Sequence, residues 1–143
     1  WAESLVGGFG GRLQARRNEM IDVLDASGFV AEHDGQPLGL LTYAGRPDGT
    51  EVLYIEAVTH QRGVGTALMT ALTRLVGAQR IWLVTTNDNL DALRFYQRRG
   101  FTICEVRVGA VDRARETIKP SLPLVGDYEI PLRDEIELER RPV

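Results

Sequence analysis

A single cysteine, Cys104, is present in a chain of 143 residues. An intrachain disulfide is thereby excluded, as is a metal centre built from several thiolates, so no metal is expected. Cysteine poverty suits a reducing, cytoplasmic setting. Long apolar runs are missing too. No stretch approaches the roughly 18 consecutive apolar residues of a membrane-crossing helix, and no charged start followed by an apolar signal region is visible. No membrane partner is expected. Positive charge is not in excess, since 17 Lys and Arg against 20 Asp and Glu leave a net charge of -3. Surfaces that bind nucleic acid rely on clustered Lys and Arg to displace phosphate counterions, so no nucleic-acid partner is expected either. The chain also lacks GxxxxGK[ST], and it lacks the third glycine and distant acidic residue of a dinucleotide-binding turn.

What is present looks like one globular domain over residues 1–143. Hydrophobic residues make up 43% and charged residues 26%, enough apolar material for a core without the bias of a disordered or fibrous chain. Leu13, Met20, Ile21 and Leu24 recur at helical spacing and predict an amphipathic helix before Gly28. The glycine cluster at residues 7–11 reads as a loop, because no strand precedes it. Residues 29–32 and 38–43 form a hairpin around Asp34-Gly35, a pair suited to positive φ, with His33 in the turn. The β-branched and aromatic run 51–58 adds a third antiparallel strand. Organisation then changes to β-α-β-α-β: a helix from Val64 to Leu75 ended by Gly77, a strand at 81–85, a helix capped by Asn87, Asp88 or Asn89, and a strand at 101–108 after Gly100. Cys104, in the alternating run FTICEVRV, reads as a buried strand residue. From Asp112 onward prolines interrupt the pattern until residues 135–139, EIELE, alternate like an edge strand. A meander followed by βαβ units implies a mixed α/β fold, a mostly antiparallel sheet with helices on its faces.

The chemistry-bearing stretch is Arg62-Gly63-Val64-Gly65-Thr66, where a strand passes through a glycine turn into a helix. Unpaired N–H groups at a positive helix end bind anions, and the dipole contributes about 0.3–1 kcal/mol to a nearby negative charge. Glycines there let a phosphate approach the backbone closely, and Arg62 offers a direct charge contact. Tight helix–strand packing explains such glycines equally well, so the turn alone decides little.

The frame His60-Gln61-Arg62-Gly63-Val64-Gly65 resembles the [QR]-x-x-G-x-[GA] pyrophosphate loop of the GNAT acetyltransferase superfamily, with His60 where that family usually has Gln or Arg. Asn89-Leu90-Asp91-Ala92-Leu93-Arg94-Phe95-Tyr96, followed by Gly100-Phe101, resembles the same family's N-x-x-A-x-x-x-Y…GF segment, in the right order and at compatible spacing. The resemblance covers residues 29–108 and implies an acetyl-CoA-dependent N-acetyltransferase of that fold. It implies that Arg62, Gly63, Val64, Gly65 and Thr66 hold the CoA pyrophosphate and that Asn89 contacts the pantetheine arm. Ala57 and Val58 lie where the family's strand lends it backbone groups, and Tyr96 takes the place of the residue that protonates the departing sulfur. Family members normally begin with a strand and helix before the hairpin, so the first strand is expected to be missing here.

A primary amine, small-molecule or peptide, must lose a proton as it attacks, and a carboxylate is the natural base. Glu51 and Glu56 are the candidates. Simple alternation puts them on opposite faces of their strand unless a bulge intervenes; Glu51 ranks slightly ahead because it shares parity with Leu53 and Ile55. Both are equally readable as solvated strand charges. Asp134, Glu135, Glu137 and Glu139 either attract a cationic amine or protect an edge strand. A noncatalytic acyl-CoA- or metabolite-binding module is the alternative to an enzyme, and a homodimer through the tail or edge strand is a further expectation.

Overall fold

The chain reverses direction where two successive residues take positive φ. In the structure, a computed structural model that describes residues 2, 12–58 and 63–141, Arg17 and Asn18 (φ 50° and 60°) join β1 (Leu13–Arg16) to β2 (Glu19–Asp22). Asp34 and Gly35 (φ 50° and 77°) likewise join β3 (Ser27–His33) to β4 (Gln36–Arg46). Left-handed φ at both central positions gives the turn whose twist matches paired strands. The second hairpin agrees with the sequence expectation. The first corrects it: β1 and β2 form a two-stranded sheet of their own in place of an amphipathic helix. Asn18 tolerates left-handed φ, and the Asp22 carboxylate accepts the Leu24 N–H at 3.0 Å, a local side-chain bond that competes with helical pairing. Arg12 lies 2.9 Å from Asp22 and holds that carboxyl below its ordinary pKa. The glycine cluster at 7–11 lies outside the described residues.

The described residues fall into two compact units, one holding 12–14 and 22–81, the other 15–21 and 82–141. In the first, β3, β4 and β5 (Gly49–Ala57) form an antiparallel meander, and α1 (Val64–Val76) packs on it. Gly39 permits that contact: a Cβ there would stand 2.6 Å from Val64 Cγ1 and 3.2 Å from Leu68 Cδ1. Leu68, Met69 and Leu72 bury the apolar face of the helix, and Leu41, Val52 and Leu53 are also buried in this unit. Gly77, at φ 63°, closes α1 by donating to the Thr73 carbonyl.

The second unit has β6 (Ile81–Thr86) from Trp82 onward, α2 (Leu90–Gln97), β7 (Thr102–Arg107), α3 (Ala110–Thr117) and β8 (Glu135–Arg140), with the strands in the order β6-β8-β7. Three expectations change. Residues 135–139 are not an edge: β8 lies between β6 and β7, and β7 is outermost. The acidic residues of β8 therefore do not form a solvated face. Glu135 and Glu137 are buried, and one guanidinium, that of Arg107, reaches both at 2.9 and 3.1 Å, while the Arg17 backbone N–H also donates to Glu135. A helix, α3, occupies part of the stretch expected to be irregular. Its apolar signal is faint because only Val111 and Ala114 are buried, and Arg115 then ties the proline-containing loop by donating to the carbonyls of Leu122, Pro123 and Leu132. Cys104 is exposed rather than buried, since the pairing of β7 with β8 skips it between Ile103↔Leu138 and Glu105↔Glu137.

Removing one partner of a buried ion pair leaves the other charge uncompensated. Arg107→Ala, which leaves Glu135 and Glu137 without their guanidinium, should lower unfolding free energy in urea by about 3 kcal/mol, whereas Glu116→Ala, at an exposed position, should change it by less than about 0.5 kcal/mol.

Candidate functional site

Gly63 begins α1 with φ 65° and ψ 24°, a left-handed geometry that costs glycine little. A Cβ at Gly63 would meet nothing within 4 Å, so the conformation, not crowding, calls for glycine there. Among the described residues no side chain caps the helix start, and its first turn, which contains Val64, Gly65 and Thr66, holds no acidic residue. With 13 residues of aligned peptide dipole behind it, this end suits a phosphate. Arg62, and with it His60 and Gln61, lies outside the described residues.

Upstream, the Val58 N–H donates to the Leu38 carbonyl at 2.7 Å, and the Ala57 N–H donates to the Glu56 carboxylate at 3.0 Å. The two carboxylates of β5 are arranged by a slip in register. Thr42 pairs with Tyr54 but Tyr43 pairs with Val52, so Leu53 is an extra residue in β5. Because Leu40, Thr42 and Ala44 share one face of β4 and pair with Glu56, Tyr54 and Glu51, the bulge gathers Glu51, Tyr54 and Glu56 on that same face. It is the face opposite Gly39 and hence opposite α1.

Shared orientation does not give the two glutamates the same chemistry. Glu51 is 1% exposed and is held by Arg46, whose Nε and Nη2 both lie 3.0 Å from its Oε1. Glu56 is half-buried. Between them Tyr54 is buried, its hydroxyl has no hydrogen-bond partner among the described residues, and the same holds for the Thr42 hydroxyl on the residue paired across from it. Burial, with the negative charge of Glu56 nearby, pushes the Tyr54 phenol well above its ordinary pKa. Neither hydroxyl was singled out by the sequence, since simple alternation gives no sign that Leu53 is inserted.

In the second unit Asn89 caps α2, its side-chain oxygen accepting the Ala92 N–H at 3.2 Å. Tyr96 is 5% exposed, wedged edge-on against Phe95 and Phe101 at centroid distances of 5.2 and 5.4 Å. The loop ahead of α2 is braced by polar side chains. Asn87 donates to the Pro131 carbonyl and accepts from the N–H groups of Arg133 and Asp134, and the buried Asp88 accepts the Asp127 N–H at 2.8 Å. Gly126 is required beside it: a Cβ there would fall 2.0 Å from Asp88 Oδ2.

The family model for the Acetyltransferase (GNAT) family matches residues 6–101. The chain belongs to that family. It is 41% identical over 120 residues to the uncharacterized protein YxbD of Bacillus subtilis strain 168, covering 82% of this chain and 74% of that one. Its fold is similar to a GNAT family acetyltransferase from Elizabethkingia anophelis with acetyl-CoA bound, at TM-score 0.68 and 20% identity, covering 83% of this chain and 78% of that chain. It is also similar to the ribosomal-protein-S18-alanine N-acetyltransferase of Escherichia coli, at TM-score 0.62 and 16% identity, covering 99% and 77%. The mixed, mostly antiparallel architecture expected from the sequence is thus the family's fold.

The braced loop yields a pH effect. Burial, then the charges of Asp88 and Asp91, raise the Asp127 pKa above 3.8. A raised folded-state pKa means that the native chain binds more protons than the unfolded one between the two values, so stability falls as pH rises through that window. Asp127→Asn should flatten this fall and raise the thermal midpoint at neutral pH relative to wild type, with little difference below the ordinary Asp range; thermal melts across pH would show it.

Proposed function

We propose that the chain transfers an acetyl group from acetyl-CoA to a primary amine, small-molecule or peptide, by direct attack in a ternary complex. The observation that carries the donor half is the N-terminus of α1 behind a left-handed Gly63, acid-free in its first turn and without a side-chain cap among the described residues. Gly63, Val64, Gly65 and Thr66, with Arg62, take the pyrophosphate, and Asn89 takes the pantetheine arm through its amide nitrogen, because its oxygen serves the helix cap. Ala57 and Val58 lend the strand's backbone to that arm.

Glu56 serves as the base ahead of Glu51. A base must release and accept a proton near the acceptor, and Glu51 is locked to Arg46 in a buried pair. The amine nitrogen bonds to the acetyl carbon, its proton passes to Glu56 directly or through water, and the carbon–sulfur bond breaks as Tyr96 gives its proton to the sulfur. The products are an amide and CoA. Proximity of donor and acceptor supplies up to roughly 7–11 kcal/mol of the barrier reduction, so no covalent enzyme intermediate is needed.

A noncatalytic acyl-CoA-binding module is the competing reading, and the burial of Tyr96 between two phenylalanines is what favours it. An amine panel assayed for CoA release separates the two. Under the enzyme reading Tyr96→Phe lowers kcat about 100-fold with CoA affinity unchanged, and Glu56→Gln lowers it with loss of the acidic limb of the pH–rate profile. Glu51→Gln should instead lower stability. Should CoA bind while no amine in the panel exceeds background, the module reading stands.

A further inference from the structure

A cleft of about 660 Å³ opens within the second unit, lined by the β1–β2 turn, by β7 and the start of β8, and by α3. That volume suits a small molecule. Ala110, Arg113, Glu116 and Thr117 recur at helical spacing, so a single face of α3 makes one wall. The β1–β2 turn brings Arg17 and Asn18 to another. On the strand side the charges are already committed, because Arg107 engages Glu105, Glu135 and Glu137 of its own chain at 3.2, 2.9 and 3.1 Å.

Three other charges along the cleft are not committed. The backbone of Arg17 is anchored, its N–H donating to the Glu135 carboxylate at 3.0 Å, and its guanidinium lies over the buried Trp82 ring, 4.8 Å from the centroid. That guanidinium is placed, yet it makes no hydrogen bond or ion pair among the described residues. Arg113 spends one nitrogen on the Val108 carbonyl at 3.1 Å and has no ion pair among them. Glu116 stands three positions further along α3, close enough in sequence to pair with Arg113, but its exposed carboxylate has no partner among the described residues either.

Guanidinium groups suit a carboxylate, and a carboxylate accepts from an ammonium. A ligand of one sign would meet a like charge in this cleft: an anion would face Glu116, and a cation would face Arg17 and Arg113. A molecule that carries both signs satisfies all three, and the like charges turn the others away. We propose that the cleft binds a small zwitterion, its carboxylate facing Arg17 and Arg113 and its ammonium facing Glu116. An ammonium held against a carboxylate keeps its proton and cannot attack an acyl group, so the molecule bound here is a ligand and not an acceptor. The proposal does not rest on the acetyl-transfer reading, because none of these residues belongs to that machinery.

Titration calorimetry on the full chain tests it, with ω-amino acids of rising length from glycine to aminohexanoate, and with butyrate and butylammonium as carriers of one charge each. At least one amino acid should bind saturably at millimolar concentration, and the singly charged compounds about tenfold more weakly or worse. Arg17→Gln and Glu116→Gln should each weaken that binding about tenfold, and Glu116→Gln, at an exposed position, should leave the urea unfolding curve unchanged. Glu116→Arg should reverse the preference, so that glutarate, with two carboxylates and no ammonium, outcompetes the amino acid; a purely structural role for Glu116 gives no such reversal. Absence of saturable binding across the whole series overturns the proposal. So does butyrate binding as tightly as the best amino acid, or a Glu116→Arg chain that keeps the wild-type preference.

Discussion

At Leu53 the register of β5 slips by one residue against β4, and the character of the candidate site depends on that slip. Without it, alternation would send Glu51 and Glu56 to opposite faces, and Tyr54 would share a face with Glu56 alone. With it, both carboxylates and a tyrosine face the same way, on the side of the sheet that α1 does not cover. The bulge therefore separates two tasks in one short strand. One face lies on the side of the sheet where Gly39 of β4 meets Val64 and Leu68 of the glycine-started helix, and the other carries Glu51, Tyr54 and Glu56. A strand nine residues long has few positions to spare, and an inserted residue re-aims half of them at the cost of one local interruption.

The second unit is organised around a guanidinium. Arg107 neutralises Glu135 and Glu137, two carboxylates that an inner strand could not otherwise hold away from water, and hydrogen bonding to both keeps the guanidinium fully charged despite burial. The same region carries a second device of this type. Asn87 satisfies three backbone groups between Pro131 and Asp134, which fixes the start of β8 against the loop that begins α2. Asn89, two residues on, caps the helix bearing Tyr96. Polar side chains spent on backbone groups thus set where the tyrosine's helix begins, and the phenylalanines on either side of its ring set how Tyr96 is held.

These facts explain which features could be read from the sequence. Turn chemistry was legible: Asp34-Gly35, Gly77 and Asn89 do what residues of their kind do locally. The glycine-turn helix and the Asn…Tyr segment were legible because their spacing is local as well. What failed was every inference from periodicity alone where a long-range partner decides the outcome. Leu13 to Leu24 fits a helical period, yet left-handed Arg17 and Asn18 make it a hairpin. EIELE fits an exposed edge, yet Arg107, 28 residues from Glu135 in the chain, makes it an inner strand. Cys104 fits a buried position by alternation, and a skipped pairing exposes it. No single-strand pattern encodes an inserted residue, because a bulge is a property of two strands.

The same bulge leaves a chemical residue in the strict sense. Two buried hydroxyls, those of Thr42 and Tyr54, stand on directly paired positions without a hydrogen-bond partner among the described residues. Burial first, and then the nearby charge of Glu56, raises the pKa of the Tyr54 phenol. A phenol pushed well above its ordinary pKa stays neutral next to the carboxylate, adding polarity without adding a second negative charge. Of the two glutamates that the bulge brings to this face, Arg46 has claimed Glu51, and Glu56 keeps a neutral polar neighbour and the backbone N–H of Ala57. That difference in company, more than burial, is why the proposed base is Glu56 and not Glu51.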